Sequence, residues 1–350
     1  MGTIRDSGGD VIARVTIGDI AHAAGVSKGA VSYALNNKPG VSDSTRERVQ
    51  GIARELGWSP SLAARSLSTS RADAIGLVLS KPARMLGTEP FYMEFIAGIE
   101  ETIAERGIAL MLHIVTDPAR EIDIYQKWWA GRRVDGVLLV DLSSDDPRVD
   151  AVQRIGIPAV SVSSPESARD LPHVWTDDAR AMRDAVRYLV RLGHRRLARV
   201  GGIPSLSHTV TRDHAFLEGV AEAGLETPMI IDTDFSGEGG SRATRSLLLQ
   251  ENPPTAIVYD NDVMAVAGLG VASELGVSVP RELSLLAWDD SPLCEITHPP
   301  LSAMRRDVTR LGSEAAEMLL RLLADGHIEN RQGPLPVLFP RATTAPPGSD

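Results

Sequence analysis

The 350-residue sequence predicts an α/β protein: a small helical head followed by a body of two doubly wound lobes, each a parallel sheet covered by helices. Three observations carry that reading. Residues 16–56 place apolar side chains at helical spacing in three short bursts, separated by capping residues and glycine. From Ala74 onward, short apolar runs alternate with longer amphipathic stretches, the pattern of strands and crossover helices. Charge divides at the same place, with 9 Lys+Arg against 6 Asp+Glu in residues 1–71 and 27 against 40 in the remainder. A mildly basic head on an acidic body suits a modular chain in which only the head meets phosphate.

The head justifies itself element by element. Thr16 is placed to cap a first helix whose apolar positions, Ile17, Ile20, Ala21 and Ala24, fall at i, i+3, i+4 and i+7. Gly25 suits the left-handed position that ends it. Val26 fills the space between helices, and Ser27 caps a second helix with Val31 and Leu35 inward. Helix, glycine turn and helix make a helix-turn-helix. Ser44-Thr45-Arg46-Glu47 reads as a capping box opening a third helix, with Val49, Ile52, Ala53 and Leu56 as its buried stripe and Gly57 and Pro60 as stops.

The second helix turns Lys28, Gly29, Ala30, Ser32 and Tyr33 away from its apolar stripe, and Asn36 closes the same run. These small and polar groups fit a major groove. Helix starts at Thr16, Ser27 and Ser42 offer N–H groups and hydroxyls to phosphate. A three-helix bundle without a nucleic-acid partner is the plainer alternative.

In the body the apolar runs are Ala74–Leu79, Ile108–Val115, Gly136–Val140 and Pro158–Val162, then Leu197–Gly201, Pro228–Ile231, Ala256–Tyr259 and Leu283–Ala287. Helical stretches such as Phe91–Arg106, Asp177–Leu192, Asp213–Ala223 and Asn261–Leu275 lie between them. Two four-strand series of similar length predict two lobes, with ligand where the strand C-terminal ends meet. Asp289 and Asp290 follow one such strand, Asn261 and Asp262 another, and carboxylates and amides there suit adjacent hydroxyls. Arg212 offers a forked donor, and Phe91, Tyr92 and Phe235 offer rings for the apolar face of a sugar. The plainer roles are a helix cap for Asp262, backbone satisfaction at a lobe crossing for Asp290 and helix-start packing for Phe91 and Tyr92. Arg212 has a pairing with Asp213 or a nearby carboxylate as its own, and at least one of Trp128 and Trp129 belongs to the core.

Enzymatic readings find little support. Gly201-Gly202-Ile203-Pro204 follows a strand but is not GxGxxG, and GxxxxGK[ST], GxSxG and HExxH are absent. The eight histidines are scattered without metal-ligand spacing, and Cys294 is the one cysteine. Neither a cofactor nor a metal is expected. The opening MGTIRDSGGDVIARV has no long apolar run, so a cytoplasmic protein with no membrane partner is expected.

The run TIGDIAHAAGVSKGAVSYALNNKPGVSDSTRERVQGIARELGWSPSLAARSLSTSRADAIGLVL resembles the head and hinge of the lactose/galactose repressor family, and the resemblance continues to about Leu322. It implies a helix-turn-helix domain over 14–59, a hinge helix or linker over 60–71 and a two-lobed, periplasmic-binding-protein-like effector and dimerisation domain over 72–345. The N-lobe is expected at about 72–161 and 291–322, and the C-lobe at about 162–290 and 323–345. Crossings are expected near Ser161–Ser163, Asp290–Ser291 and Leu322–Asp325.

The resemblance also implies a hinge helix that inserts Leu67, with Ala64 beside it, into the minor groove of a palindromic double-stranded operator bound by a homodimer. It places Ser80, Phe91, Tyr92, Ser163, Arg212, Phe235, Asn261 and Asp289 in the effector pocket. Ser163 stands where sugar-responsive members often have aspartate. Ala30-Val31-Ser32-Tyr33 departs from the family's Thr-Val-Ser-Arg, so arginine readout of guanine is not expected, and Lys28, Ser32 and Tyr33 are the candidate base contacts. The implied function is a ligand-gated transcriptional regulator, expected to be a repressor with a sugar or oligosaccharide effector. A purine or other metabolite effector, and an ungated DNA-binding regulator, are the alternatives.

Overall fold

Capping chemistry sets the limits of the head helices. In α1 (Ile17–Ala24) the Thr16 hydroxyl accepts from Asp19 N while the Asp19 carboxylate accepts from Thr16 N at 2.7 Å, a reciprocal capping box, and Gly25 closes the helix at φ 64°. Ser27 Oγ accepts from Ala30 N at the start of α2 (Lys28–Leu35). The third helix, α3 (Asp43–Glu55), is capped by Ser42 rather than opened at Ser44, because Ser42 holds the extended backbone a cap requires and Ser44 already lies in the first turn. Ile20, Ala21, Ala24, Val31, Ala34, Val49 and Ala53 form the core. Ala34 takes the fully buried place expected for Leu35, which is half-buried, and Leu56 at the end of α3 is exposed instead of buried. From α3, Arg46 Nη2 donates to Lys38 O at 3.1 Å and Gln50 Nε2 to Ala34 O at 3.4 Å, tying down the end of α2.

The computed structural model describes residues 15–58, 71–82, 87–117 and 119–348. The expected hinge helix, with Ala64 and Leu67, lies outside them. By contacts the chain divides into two units, Met1–Ser70 and Arg71–Asp350.

Within the second unit the chain runs β1 (Ala74–Ser80), α4 (Pro90–Ala104), β2 (Ala109–Val115), α5 (Ala119–Ala130), β3 (Gly136–Val140), α6 (Pro147–Ile155), β4 (Ala159–Val162), α7 (Pro165–Ala168) and β5 (His173–Trp175). It continues as α8 (Asp178–Arg191), β6 (Leu197–Gly201), α9 (Ser207–Glu222), β7 (Met229–Asp232), α10 (Gly237–Leu248), β8 (Ala256–Tyr259), α11 (Asp262–Glu274) and β9 (Ser284–Asp289). The last elements are α12 (Pro292–Ile296), β10 (Ser302–Arg305), α13 (Val308–Asp325), β11 (Arg331–Gln332) and β12 (Val337–Phe339).

Two six-stranded sheets result, ordered β11-β5-β4-β3-β1-β2 and β12-β10-β9-β8-β6-β7. Neighbouring strands pair in parallel except β10 with β12. The central strands are apolar on both faces because helices cover both. Ile75, Leu77 and Leu79 pack under α4 and α13, while Val78, Val137 and Leu139 pack under α5 and α6. Trp128 is core, and a Cβ at Gly76 would lie 2.5 Å from its ring, so the strand is glycine there.

Among the described residues the chain passes between lobes at Thr176–Asp177, at Arg306–Asp307 and between β11 and β12. Each passage lies further along than the expected crossings at 161–163, 290–291 and 322–325. The reason is physical: β5 has three residues, β10 begins on a serine and β11 has two, so none forms an apolar run. Residues 162–175 therefore stay with the first sheet, 291–305 with the second, and the whole of α13 packs on α4. Among the described residues no helix is long and apolar enough to cross a membrane.

Candidate functional site

The C-terminal ends of the strands in both lobes of the body converge on one cleft. Phe91, Tyr92, Ser163, Arg212, Phe235 and Asp289 all line it. Phe91 and Tyr92 enter from the first turn of α4, their ring centroids 5.2 Å apart and edge-on. Phe235 comes from the opposite lobe on a backbone of φ 66°, and the tip of its ring abuts Gly202, where a Cβ would sit 1.9 Å from it. Asn261 explains how that strained backbone is kept. It does not line the cleft; its Nδ2 donates to Phe235 O at 3.0 Å and its Oδ1 caps α11 through Met264 N. Asn261 is thus the cap expected of Asp262, whose carboxylate instead accepts from Ser291 N at 3.0 Å.

Arg212 is buried and fully paired. Its Nη1 donates to Asp260 Oδ1 at 2.9 Å and its Nη2 to Asp178 Oδ2 at 3.0 Å, and the guanidinium stacks 4.5 Å from the Trp288 ring centroid. Asp213 belongs to Arg199 instead, at 2.6 Å. Asp289 pairs with Arg306 at 2.6 Å, and Arg306 lies 4.9 Å over the Phe91 ring, joining a lobe crossing to the aromatic wall. Asp290 faces away, onto Arg305 and Arg341. Ser163 Oγ shares a hydrogen bond with Ser161 Oγ at 3.1 Å. Ser80 does not line the cleft; it opens on a neighbouring cavity.

Sequence reasoning missed several groups at the centre. Lys81 follows β1; its Nζ lies 3.4 Å from Asp141 Oδ2, 5.8 Å over Tyr92 and 5.4 Å over Phe235 of the other lobe. Asp141 follows β3 and accepts from the Tyr92 hydroxyl at 2.5 Å. Burial opposes its charge, but Lys81, His208 and Tyr92 outweigh that and hold the carboxyl down at about 2. Asp260 follows β8, one residue before the expected Asn261. Burial opposes its charge too, yet Arg199 and Arg212 keep it well below the usual carboxylate range. His208 is pushed down to about 4 by burial and by Arg212, so it is neutral at pH 7. Glu89 is buried with Oε2 unpartnered among the described residues, and burial raises its carboxyl to about 8, with Lys81 and a hydrogen bond from Asn261 opposing and Asp141 and Asp289 adding. Strand-end position was the available signal for Lys81, Asp141 and Asp260; Glu89 precedes a helix and carried none.

In the head, Lys28, Gly29 and Tyr33 are exposed on α2, while Ala30 and Ser32 are half-buried beside them. Asn36 donates to Ser32 O at 2.9 Å. The hydroxyls of Thr16, Ser27 and Ser42 are all engaged in capping. Of the three helix starts, those of α1 and α3 carry an acidic residue in the first turn, whereas that of α2 carries Lys28 and none. The start of α2 is therefore the one best suited to phosphate.

Comparison with known proteins matches the same two parts. The pattern described as bacterial regulatory proteins, lacI family, covers residues 16–61, and that of a periplasmic binding protein-like domain covers 186–344. The HTH-type transcriptional regulator CelR of Thermobifida fusca is 32% identical over 311 residues, covering 88% of this chain and 91% of that protein. The crystal structure of a LacI family transcriptional regulator from Bifidobacterium animalis subsp. lactis is 36% identical with a TM-score of 0.74, covering 80% of this chain and 100% of that one. A transcriptional regulator CelR–cellobiose complex is 29% identical with a TM-score of 0.70, covering 94% of this chain and 100% of that one.

Proposed function

The chain belongs to the lacI family of bacterial regulatory proteins, transcription regulators with an effector-binding domain and not enzymes, and from that premise we propose a sugar-gated repressor. In this reading it acts in the cytoplasm as a homodimer on a palindromic operator. The start of α2 receives phosphate, Lys28, Ser32 and Tyr33 meet the major groove, and the segment with Ala64 and Leu67 enters the minor groove. The observation that carries the effector assignment is the cleft wall: three aromatic rings from two lobes set among charged groups that hydroxyls can bridge. The relative solved with cellobiose supports the same chemistry.

Gating follows from Lys81. Its ammonium, rooted in one lobe, lies over Phe235 of the other, so a ligand entering between them changes what holds the lobes together. An effector acts only through its differential affinity for the two lobe arrangements. The test is a gel shift on DNA upstream of the gene, with and without a panel of mono- and oligosaccharides, nucleosides and other metabolites. A sugar that releases the DNA supports the reading. A nucleoside that does so moves the effector to the purine class, and DNA binding indifferent to the whole panel removes the gating.

A further inference from the structure

Away from the crossings the lobes are joined at the rim and at the centre of the cleft, and both contacts lead back to Asp141. At the rim, Ser207 N donates to Leu142 O at 2.9 Å, and Ser143 pairs with Leu206 in an isolated antiparallel bridge. Leu142 and Ser143 follow β3 of the N-lobe, whereas Leu206 and Ser207 begin α9 of the C-lobe. A first-turn N–H has no partner within its own helix, and the cap residue Leu206 has no side-chain oxygen to offer. The N-lobe therefore caps α9, the helix that carries His208 and Arg212 into the cleft.

The carbonyl that supplies this cap is aimed by a strained residue. Asp141 holds φ 52°, a left-handed backbone that persists outside glycine where the surroundings fix it. Its side chain does the fixing, with Oδ2 3.4 Å from Lys81 Nζ and accepting from the Tyr92 hydroxyl at 2.5 Å. From the other side Arg148 Nη2 donates to Asp141 O at 2.7 Å. At the centre of the cleft the same Lys81 ammonium lies over Tyr92 of one lobe and Phe235 of the other. Lysine stems normally carry their charge out to water, and this one carries it inward, where ring faces attract a desolvated cation. With Arg212, Arg306 and the rings it leaves about 80 Å³ enclosed, where ligand pockets usually have roughly 300–1,000 Å³. An ion pair serving the N-lobe alone needs no ring from the C-lobe.

We propose that Lys81 is a built-in latch: a tethered occupant of the cleft that holds Asp141 in the conformation capping α9 and so keeps the lobes closed. Drawing the ammonium away from Asp141 frees the strained residue, withdraws Leu142 O from Ser207 and lets the lobes part. The inference rests on the gating reading above, but not on which compound does the gating. Two measurements on the full chain test it. One is the interlobe distance, read by pulsed electron spin resonance between nitroxides on Gln126→Cys and His214→Cys, diluted into unlabelled chain. Gln126 is exposed on α5 of the N-lobe and His214 on α9 of the C-lobe, and Cys294 is buried. The other is a gel shift on the upstream DNA with no sugar added.

Lys81→Ala is expected to lengthen the distance by more than about 2 Å and to weaken DNA binding about tenfold. Adding n-propylammonium, which replaces the deleted carbons and the charge, restores both, and n-propanol restores neither. A wild-type distance in Lys81→Ala overturns the latch, as does restoration by propanol too or by neither compound. A lengthened distance with unchanged DNA affinity overturns its regulatory role. If Lys81→Ala does not fold, Lys81→Met keeps the stem and drops the charge, and a wild-type distance there overturns the proposal. None of these results touches the sugar reading, which fails separately if DNA binding ignores every sugar while propylammonium still closes Lys81→Ala.

Discussion

The two lobes repeat one strand order but satisfy their buried polar groups differently. From the C-lobe, the cleft carboxylates Asp178 and Asp260 both face Arg212, and Asp260 also lies 2.9 Å from Arg199. From the N-lobe, Glu89 of the cleft and Ser80 and Glu121 of the adjoining cavity's wall each keep one buried oxygen without a hydrogen-bond partner among the described residues. The C-lobe's unpartnered atoms, among them Thr209 Oγ1 and Trp288 Nε1, line neither space. The contrast teaches where pairing is complete. Every C-lobe carboxylate in the cleft is met by a guanidinium, whereas the N-lobe wall sets a paired carboxylate, Asp141 on Lys81, beside Glu89 with an oxygen left over.

The largest effect expected from breaking this contrast is in the C-lobe. Arg212→Met strips the cation from two buried carboxylates and leaves Asp178 without its guanidinium. Such a loss typically costs roughly 3–5 kcal/mol. Urea unfolding of the variant reads it directly. Stability within error of the wild type would mean that this wall is no scaffold, and the comparison would fail at its firmer end.

On the N-lobe side the expected change has the opposite sign and depends on pH. Glu89 titrates at about 8 in the folded protein against an ordinary 4.5. Below about 4.5 it is protonated folded or unfolded and contributes nothing. Between those values the unfolded chain has lost the proton and the folded chain keeps it, so stability falls as pH rises. Glu89→Gln should leave stability at pH 4.5 nearly unchanged and raise it at pH 8.5, by on the order of 4–5 kcal/mol. Unfolding curves at the two pH values decide the matter. An equal shift at both would place the effect in packing rather than in charge.

The same contrast marks what was legible in the sequence. Central strands such as Gly136–Val140 and Leu197–Gly201 were readable because burial on both faces leaves a continuous apolar run. β5, β10 and β11 were not, since a two- to four-residue strand at or near a sheet edge needs no such run, and every lobe crossing was misplaced with them. In the site, aromatic rings announced themselves by rarity. Lys81, Asp141 and Glu89 did not, because one lysine after a strand or one glutamate before a helix looks like surface until the other lobe covers it. Asn261 was noticed as a polar strand end but holds Phe235 in place rather than reaching the cleft, a role that depends on a tertiary contact 26 residues away.

Helix packing sharpens the comparison at a smaller scale. In the N-lobe α4 and α13 approach until their backbones nearly touch. A Cβ at Gly312 would lie 2.1 Å from Phe95 O, and one at Gly98 would lie 1.8 Å from Thr309 O. In the C-lobe pair α8 and α9, a Cβ at Gly219 meets only Val186 side-chain atoms at 3.3 Å. Backbone cannot rotate aside as a side chain can, so Gly312→Ala is expected to cost at least about 1–3 kcal/mol. Gly219→Ala should cost clearly less. Thermal unfolding of the two variants side by side checks it, and equal losses would show that α13 has room to shift on α4.

The smallest effect isolates one hydroxyl in each lobe. Thr244 Oγ1 in the C-lobe donates to Gly240 O at 2.8 Å and shares a second bond of 2.8 Å with the Tyr259 hydroxyl. Thr244→Val keeps the shape and loses both, at a cost of about 1 kcal/mol, with the Tyr259 hydroxyl left buried beside a methyl group. Ser80 Oγ in the N-lobe is buried and has no hydrogen-bond partner to lose among the described residues. Ser80→Ala removes a desolvated hydroxyl and should leave stability unchanged or raise it by a few tenths to about 1 kcal/mol. Denaturant midpoints for the pair, measured without sugar, give the sign of each. If Ser80→Ala destabilises as Thr244→Val does, the Ser80 hydroxyl already has a partner within the fold, and the N-lobe wall is as complete as its counterpart.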